Sequence, residues 1–361
     1  MALLSLFNTA SCHSNKEMAH RIEQSPQFDE DLFTGNQKAF SMTWKTHVEI
    51  FWRFIAEKNQ RVPAVALPGR IVKNTEPVKK GINQLSSTWL GHSTILINID
   101  GYLVLTDPVF EEKVSLVGPV KFKRDVSIDY QSLPPIDVVV ISHDHYDHLN
   151  KKSIQMLSKS TQKFVVPLGV GKYLRKWGVS AEKIVQLDWW ENYNHDQQLS
   201  ITATPAQHFS GRGLTDRNKT LWASWVIHSN MHKVFFSGDS GYFNGFKSIG
   251  EKFGPFDITF LECGAYDAMW YPVHMFPEET VQAHLDLKGN ILHPIHWGTF
   301  NLALHPWYEP MQRLAAASEK ANVIYATPIV GEVINTTEDR LGHNWWEAAM
   351  KKENKKLAMA E

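Results

Sequence analysis

Cysteine is nearly missing from this chain: Cys12 and Cys263 are the only two in 361 residues. Two thiols exclude a disulfide framework, and their separation excludes a zinc ribbon of the Cys-x-x-Cys kind. Net charge is nearly missing as well, at -1 with a pI near 7. No global positive field draws in nucleic acid, and no nucleic-acid partner is expected. No uninterrupted apolar run approaches the ~18 residues of a membrane-spanning helix, and there is no short-period repeat. Histidine is what the chain has in quantity, 17 in all, beside 43% apolar and 12% aromatic residues. That composition can bury one large domain with an extension, or two domains.

The histidines gather around residues 138–150, Val-Val-Val-Ile-Ser-His-Asp-His-Tyr-Asp-His-Leu-Asn. Four β-branched apolar residues predict a buried strand that runs straight into His143, His145, Asp147 and His148. His143 and His145 can turn toward one ion, and Asp147 and His148 on the next turn can reach a second. Imidazole and carboxylate donors suit zinc, and the missing ligands must come from elsewhere. His208, Asp239 and His296, each after a predicted strand, are the candidates. A core cannot cheaply bury three imidazoles and a carboxylate unless something satisfies them. For His92, His195, His228, His293 and His305 an ordinary hydrogen-bonded structural role is expected.

Residues 1–84 read as an extension. A polar surface arm runs to about Asn36, and a helix follows in which Trp44, Val48, Phe51, Trp52 and Ile55 share one face. An irregular linker comes next. The aromatic face is expected to dock on the core, with membrane contact as the alternative. The short apolar run ahead of Cys12 loosely resembles a bacterial lipoprotein cleavage site, with a frayed terminus as the alternative. The protein is therefore expected in the cytoplasm or peripheral to a membrane, or else anchored at Cys12.

Residues 85–340 read as the catalytic domain. Strands are predicted at 85–90, 94–99 and 102–106, with Asp100-Gly101 as a hairpin turn. A long loop, 109–135, carries Lys121, Lys123 and Arg124. Strand and helix then alternate to 187, as in α/β folds. Strands follow at 199–204, 222–228, 233–237, 258–262 and 291–295, with a proline-led helix at 277–287. Residues 341–361 read as a helical tail.

The His143-Asp-His-Tyr-Asp-His148 segment resembles the His-x-His-x-Asp-His signature of the metallo-β-lactamase superfamily, which implies an αββα sandwich, a four-layer α/β fold, with a dinuclear metal site at one edge. Thr88-Trp-Leu-Gly-His92, Leu105-Thr-Asp-Pro108, Leu187-Asp-Trp-Trp-Glu191, Gly264-Ala-Tyr266 and Ile295-His-Trp-Gly-Thr-Phe300 together resemble the N-acyl-phosphatidylethanolamine-hydrolysing phospholipase D family. That resemblance implies two zinc ions, one on His143, His145 and His208 and the other on Asp147, His148 and His296, with Asp239 bridging. It also implies that Asp147 orients the attacking water and that His274 acts near the leaving group. Lys121, Arg124 and Arg212 are candidate phosphate contacts, while Asp188 and Trp189-Trp190 are expected to give packing support. Asp144 and Phe276 depart from the family pattern.

The resulting expectation is a zinc-dependent phosphodiesterase acting on N-acyl-phosphatidylethanolamine or a related glycerophospholipid, with peripheral membrane contact and homo-oligomers allowed. A lactonase or other ester hydrolase on the same two zincs is the alternative. A nuclease or a silent binding module is disfavoured by the neutral pI and the complete ligand set.

Overall fold

A computed structural model describes residues 15–35, 43–57, 59–71, 84–115, 118–336, 341 and 343–359. Cys12 and most of the linker after residue 71 lie outside them. In chain order the elements are α1 (Asn15–Glu23), β1 (Phe28–Asp29), β2 (Leu32–Phe33), α2 (Trp44–Ala56), β3 (Leu85–Trp89), β4 (Ile95–Ile99), β5 (Tyr102–Thr106) and β6 (Ile136–Val140). Then come α3 (Lys151–Leu157), β7 (Thr161–Pro167), α4 (Gly171–Lys176), β8 (Ile184–Leu187), β9 (Asn192–Asn194), β10 (Ser200–Thr204), β11 (Ser224–His228) and β12 (Lys233–Phe236). The last third contributes α5 (Gly245–Phe253), β13 (Phe256–Glu262), α6 (Pro277–Asp286), β14 (Gly289–Ile295), α7 (Glu309–Ala321), β15 (Ile324–Tyr325), β16 (Val333–Asn335) and α8 (Trp345–Ala358).

Two seven-stranded sheets dominate, ordered β16-β3-β4-β5-β6-β7-β8 and β15-β14-β13-β12-β11-β10-β9. The first begins as an antiparallel meander and turns parallel from β5 to β8. The second is antiparallel from β9 to β12 and parallel from β12 to β15.

Side-chain alternation along each strand explains the layering. On β6, Val138 and Val140 enter the core shared with the second sheet, where Trp225, Ile227 and Phe235 meet them. Val139 and Ile141 point the other way, into a cluster with Ile154 and Leu157 of α3 and Leu174 of α4. Because successive strand residues face opposite sides, an unbroken β-branched run serves two apolar faces at once. The second sheet is covered from outside by Phe246 and Ile249 of α5, Val281 of α6, and Met311 and Leu314 of α7. The fold class is thus the four-layer αββα sandwich.

The N-terminal region departs from expectation in two ways. Residues 15–33 form α1 and a small hairpin, and Met18 and Phe33 are buried in the main core. The periodicity of so short a helix is masked by its polar outer face. The aromatic face of α2 does not dock. Trp44 is 72% and Trp52 60% exposed, and no residue of α2 is buried among its described neighbours. The helix leans instead on Ile50 and Phe54, which pack beside Ala265, Trp270 and Leu304, about a third of a turn round from the aromatic face at ~100° per residue. The C-terminal segment is more than a tail: Trp345 and Trp346 are buried in the main core.

Candidate metal centre

Strand ends deliver every candidate ligand to one edge of the sandwich. β6 leads to His143, β10 to His208, β12 to Asp239 and β14 to His296. The loop of Asp239 can pass against that of His143 because Gly238 has φ +57 and no side chain; a Cβ there would lie 2.3 Å from the Ser142 Cβ. His296 (φ +66) and His92 (φ +54) both adopt the left-handed region, which costs a residue other than glycine and recurs at functional sites. Their backbones are joined, the His296 N–H donating to the His92 carbonyl at 3.2 Å.

Three groups of donor atoms result, the atoms of each within 4.8 Å of one another: His143, His145, His208 and Asp239; His92, Asp147, His148 and His296; and Asp239, His274 and His296. Asp239 belongs to the first and third and reaches the second. Its Oδ1 lies 3.1 Å from His148 Nε2, and its Oδ2 lies 3.2 Å from His296 Nε2, 3.7 Å from His208 Nε2 and 3.9 Å from His143 Nε2. The structure therefore brings together all seven residues expected as ligands.

Ring orientation is fixed from behind. Asp107, wholly buried, accepts from His148 Nδ1 at 2.7 Å and from the Ser142 backbone N–H at 2.7 Å. His208 Nδ1 donates to the Val273 carbonyl at 3.0 Å. In both rings Nδ1 carries a proton and Nε2 is the nitrogen that faces the cluster.

Electrostatics prepare a cation site. Burial opposes ionising Asp239 and Asp147, but His148 and His296 outweigh it and hold both carboxyls well below the ordinary range. Burial, with repulsion among the rings, pushes His143 and His208 well below the usual imidazole value. His148 and His296 go the other way. Burial works against their charge, yet Asp239 and its neighbours raise both, His296 to about 10. Protons on those two rings stand where cations would. His148 Nε2, Asp239 Oδ1 and His296 Nε2 are buried without a hydrogen-bond partner, which metal coordination satisfies. The donor set fits divalent ions.

His274 stands beside the cluster, its ring 5.2 Å from His208 and 5.5 Å from His296, with Nδ1 bonded to the fully buried Glu262. Burial lowers His274 to about 4, while burial and then Asp239 raise Glu262. Glu262 Oε2 accepts from the Ser240 N–H at 2.6 Å. Sequence reasoning overlooked Glu262, although a lone carboxylate inside Phe-Leu-Glu-Cys was a signal. His92, expected in a hydrogen-bonded structural role, does bond through Nε2 to Asp147 Oδ2 at 3.1 Å, and that bond places it within one of the donor groups. His195, His228, His293 and His305 lie outside all three donor groups.

The basic residues expected at a phosphate are committed elsewhere. Lys121 Nζ donates to the Val109 carbonyl, and Arg124 donates to the carbonyls of Pro68 and Gly298 and lies over Trp89. Arg212 donates to the Leu149 carbonyl at 2.8 Å and stacks on Tyr146 at 3.9 Å. All three tie loops together, half-buried cations whose acceptors are backbone carbonyls. Asp188 and Trp189 give packing support, Asp188 accepting from Gln27 and Trp189 donating to the Trp222 carbonyl. At Phe276, Glu279 accepts from the backbone N–H at 2.9 Å, so half of a capping box stands without a polar cap residue.

Above the cluster opens a cavity of about 270 Å³. His145, Asp147, Asp239, His274 and His296 form its polar floor, and Ile50, Phe54, Phe209, Trp270 and Leu302 line its apolar wall. Two of those wall residues come from α2.

Comparison with known proteins agrees with this geometry. Residues 102–297 match the family model described as the Beta-lactamase superfamily domain. An uncharacterized protein of Mycobacterium tuberculosis is 42% identical over 333 residues, 90% of this chain and 88% of that one. The N-acyl-phosphatidylethanolamine-hydrolyzing phospholipase D 1 of Caenorhabditis elegans is 33% identical over 268 residues, 69% of this chain and 75% of that one. Among solved structures, the metallo hydrolase Igni18 of Ignicoccus hospitalis superposes with a TM-score of 0.53 at 20% identity, over 70% of this chain and 98% of that one, a likeness of fold. With its matched domain, its sandwich and its edge cluster of histidines and aspartates, the chain belongs to the β-lactamase superfamily, among that superfamily's metal-dependent hydrolases.

Proposed function

We propose that this protein is a zinc-dependent phosphodiesterase of phospholipase D type, acting on N-acyl-phosphatidylethanolamine or a related glycerophospholipid. The observation that carries the reading is the cavity itself: a floor of His145, Asp147, Asp239, His274 and His296, drawn from donor groups that meet at Asp239, under a wall of Ile50, Phe54, Phe209, Trp270 and Leu302. A polar reacting centre beneath an apolar wall suits an ester with hydrocarbon attached. The name of the nematode relative supports the same class.

In this reading His143, His145 and His208 would hold one zinc and Asp147, His148 and His296 the other, with Asp239 available to both groups. When bound, the ion pair supplies Lewis acidity toward the phosphodiester and lowers the pKa of water. Asp147, half-buried at the cavity floor, orients the attacking water through its carboxylate. Water adds to phosphorus, the bond from phosphorus to the headgroup oxygen breaks, and that oxygen takes a proton. His274, held by Glu262 through Nδ1, presents Nε2 to the leaving oxygen. With Lys121, Arg124 and Arg212 bonded to backbone carbonyls, His274 is the side chain at the cavity that would contact the phosphate beside the metal ligands.

The exposed Trp44, Val48, Phe51, Trp52 and Ile55 of α2 stand on the helix whose Ile50 and Phe54 wall the cavity. Seating that face in a lipid interface places the cavity mouth beside its substrate. Zinc-loaded protein incubated with N-acyl-phosphatidylethanolamine vesicles should release phosphatidic acid and an N-acylethanolamine. Release of fatty acid, or turnover of lactones with no phosphodiester cleavage, sinks this reading in favour of the ester-hydrolase alternative.

A further inference from the structure

On the Nδ1 edge of His296, facing away from the candidate ligand atom Nε2, lies a second and much smaller cavity. It measures about 20 Å³ and is lined by His296, Arg61 and His305 together with Phe122, Leu302 and Trp307. Three buried nitrogens lack a hydrogen-bond partner there: His296 Nδ1, Arg61 Nη1 and His305 Nε2. Leaving three such groups unpaired is costly, so something should satisfy them.

Their hydrogen-bonding character can be assigned one by one. Arg61 Nη1 is a donor without alternative. His296 Nε2 faces Asp239 and Asp147 at 3.2 and 3.4 Å, and as a metal ligand it must keep its lone pair there, leaving the proton on Nδ1. His305 Nδ1 lies 2.9 Å from the Pro306 carbonyl, which can only accept. The proton is therefore on Nδ1, and Nε2 is an acceptor. Two unpartnered donors and one unpartnered acceptor thus belong to residues that line one space, and that space meets the ~10–15 Å³ needed by one water. A halide is excluded by the His305 lone pair, and a metal ion by the Arg61 charge.

We propose that a single ordered water fills this cavity, accepting from His296 Nδ1 and Arg61 Nη1 and donating to His305 Nε2, so that Arg61 and His305 are positioning residues for His296. The proposal rests on the reading of His296 as a metal ligand given above. It gives that ligand the outer partner that metal-bound histidines regularly have, and it reaches the substrate wall as well. Arg61 Nη2 donates to the Phe54 carbonyl at 2.6 Å, and its guanidinium lies 4.8 Å from the centre of the Phe54 ring. One side chain thus steadies both a ligand and the apolar wall supplied by α2.

A crystal structure of the zinc-loaded protein, at a resolution that shows waters, tests this directly. A density peak within ~2.7–3.2 Å of all three nitrogens is expected. Absence of the peak, or a His296 Nδ1 bonded directly to protein, overturns the water. Zinc affinity by chelator competition tests the positioning role. Arg61→Met and His305→Phe, each checked for folding by circular dichroism, should bind zinc ~10–100-fold more weakly, while Arg61→Lys keeps a donor and should retain most of the affinity. His305→Phe preserves the ring that stacks on Tyr266 at 4.3 Å, so packing loss is kept small. Wild-type affinity in both folded variants overturns the positioning role. Phospholipid turnover is not a readout here: a wild-type protein that binds zinc but leaves phospholipids intact defeats the proposed function alone.

Discussion

Asp107 Oδ2 and His148 Nδ1 lie 2.7 Å apart with both side chains fully buried, so the ring that points Nε2 at Asp239 is held by a carboxylate from the neighbouring strand. Replacing Asp107 with Asn keeps the shape but offers His148 a weaker, neutral acceptor. Zinc affinity should fall ~10–100-fold, measured by chelator competition, with turnover falling alongside. Unchanged affinity would remove Asp107 from the metal site.

Asp239 lies within 3.9 Å of four candidate ligand histidines. Asp239→Ala should abolish turnover and most of the metal content measured by inductively coupled plasma mass spectrometry. Retention of two metal equivalents would end the bridging assignment.

Buried histidines set opposite pH limits on the metal-free fold. His284 and His293 are pushed down to about 4 by burial. Their folded values lie below the unfolded ~6.5, so the stability tied to their neutral form is present above ~6.5 and is lost as pH falls toward 4. His296 is raised to about 10, so the stability tied to its proton is present below ~6.5 and is lost as pH rises toward 10. Thermal melts of chelator-treated protein should show a maximum near neutrality. Added zinc should flatten the alkaline arm only, because metal replaces the proton on His296. A melting temperature that climbs steadily to pH 10 without metal would contradict the assignment.

The exposed face of α2 makes a separable prediction. Phe51→Ser with Trp52→Ser, at positions 60% exposed, should leave the melting temperature within a few degrees and zinc content intact. Flotation with phospholipid vesicles should drop several-fold, while hydrolysis of a monomeric short-chain substrate persists. Equal flotation of variant and wild type would mean that this face does not meet lipid.

Much of the architecture could be read from the strands. Alternating or continuous apolar runs such as 94–99 and 136–141 carry strong two-fold periodicity, and the ligands follow them directly. Less was visible where tertiary contacts decide. The faces of α2 could not be ranked from periodicity, because docking is chosen by the partner surface near Trp270 rather than by the helix. His92 resembled any other histidine, since its approach to Asp147 depends on a turn brought in from 204 residues away by the His296 backbone. Lys121, Arg124 and Arg212 looked available for phosphate because charge is visible in a sequence while burial against carbonyls is not. Asp107, just past β5, and Glu262, at the end of β13, stood in readable segments, but their burial behind His148 and His274 is set by tertiary contacts.

Trp297, the residue after His296, is stacked between Trp89 at 5.4 Å and Trp345 at 5.2 Å. The first residue of α8 is therefore part of the stack behind the His296 turn. Packing loss at Trp345 would be felt next to a candidate ligand that is 49 positions away along the chain.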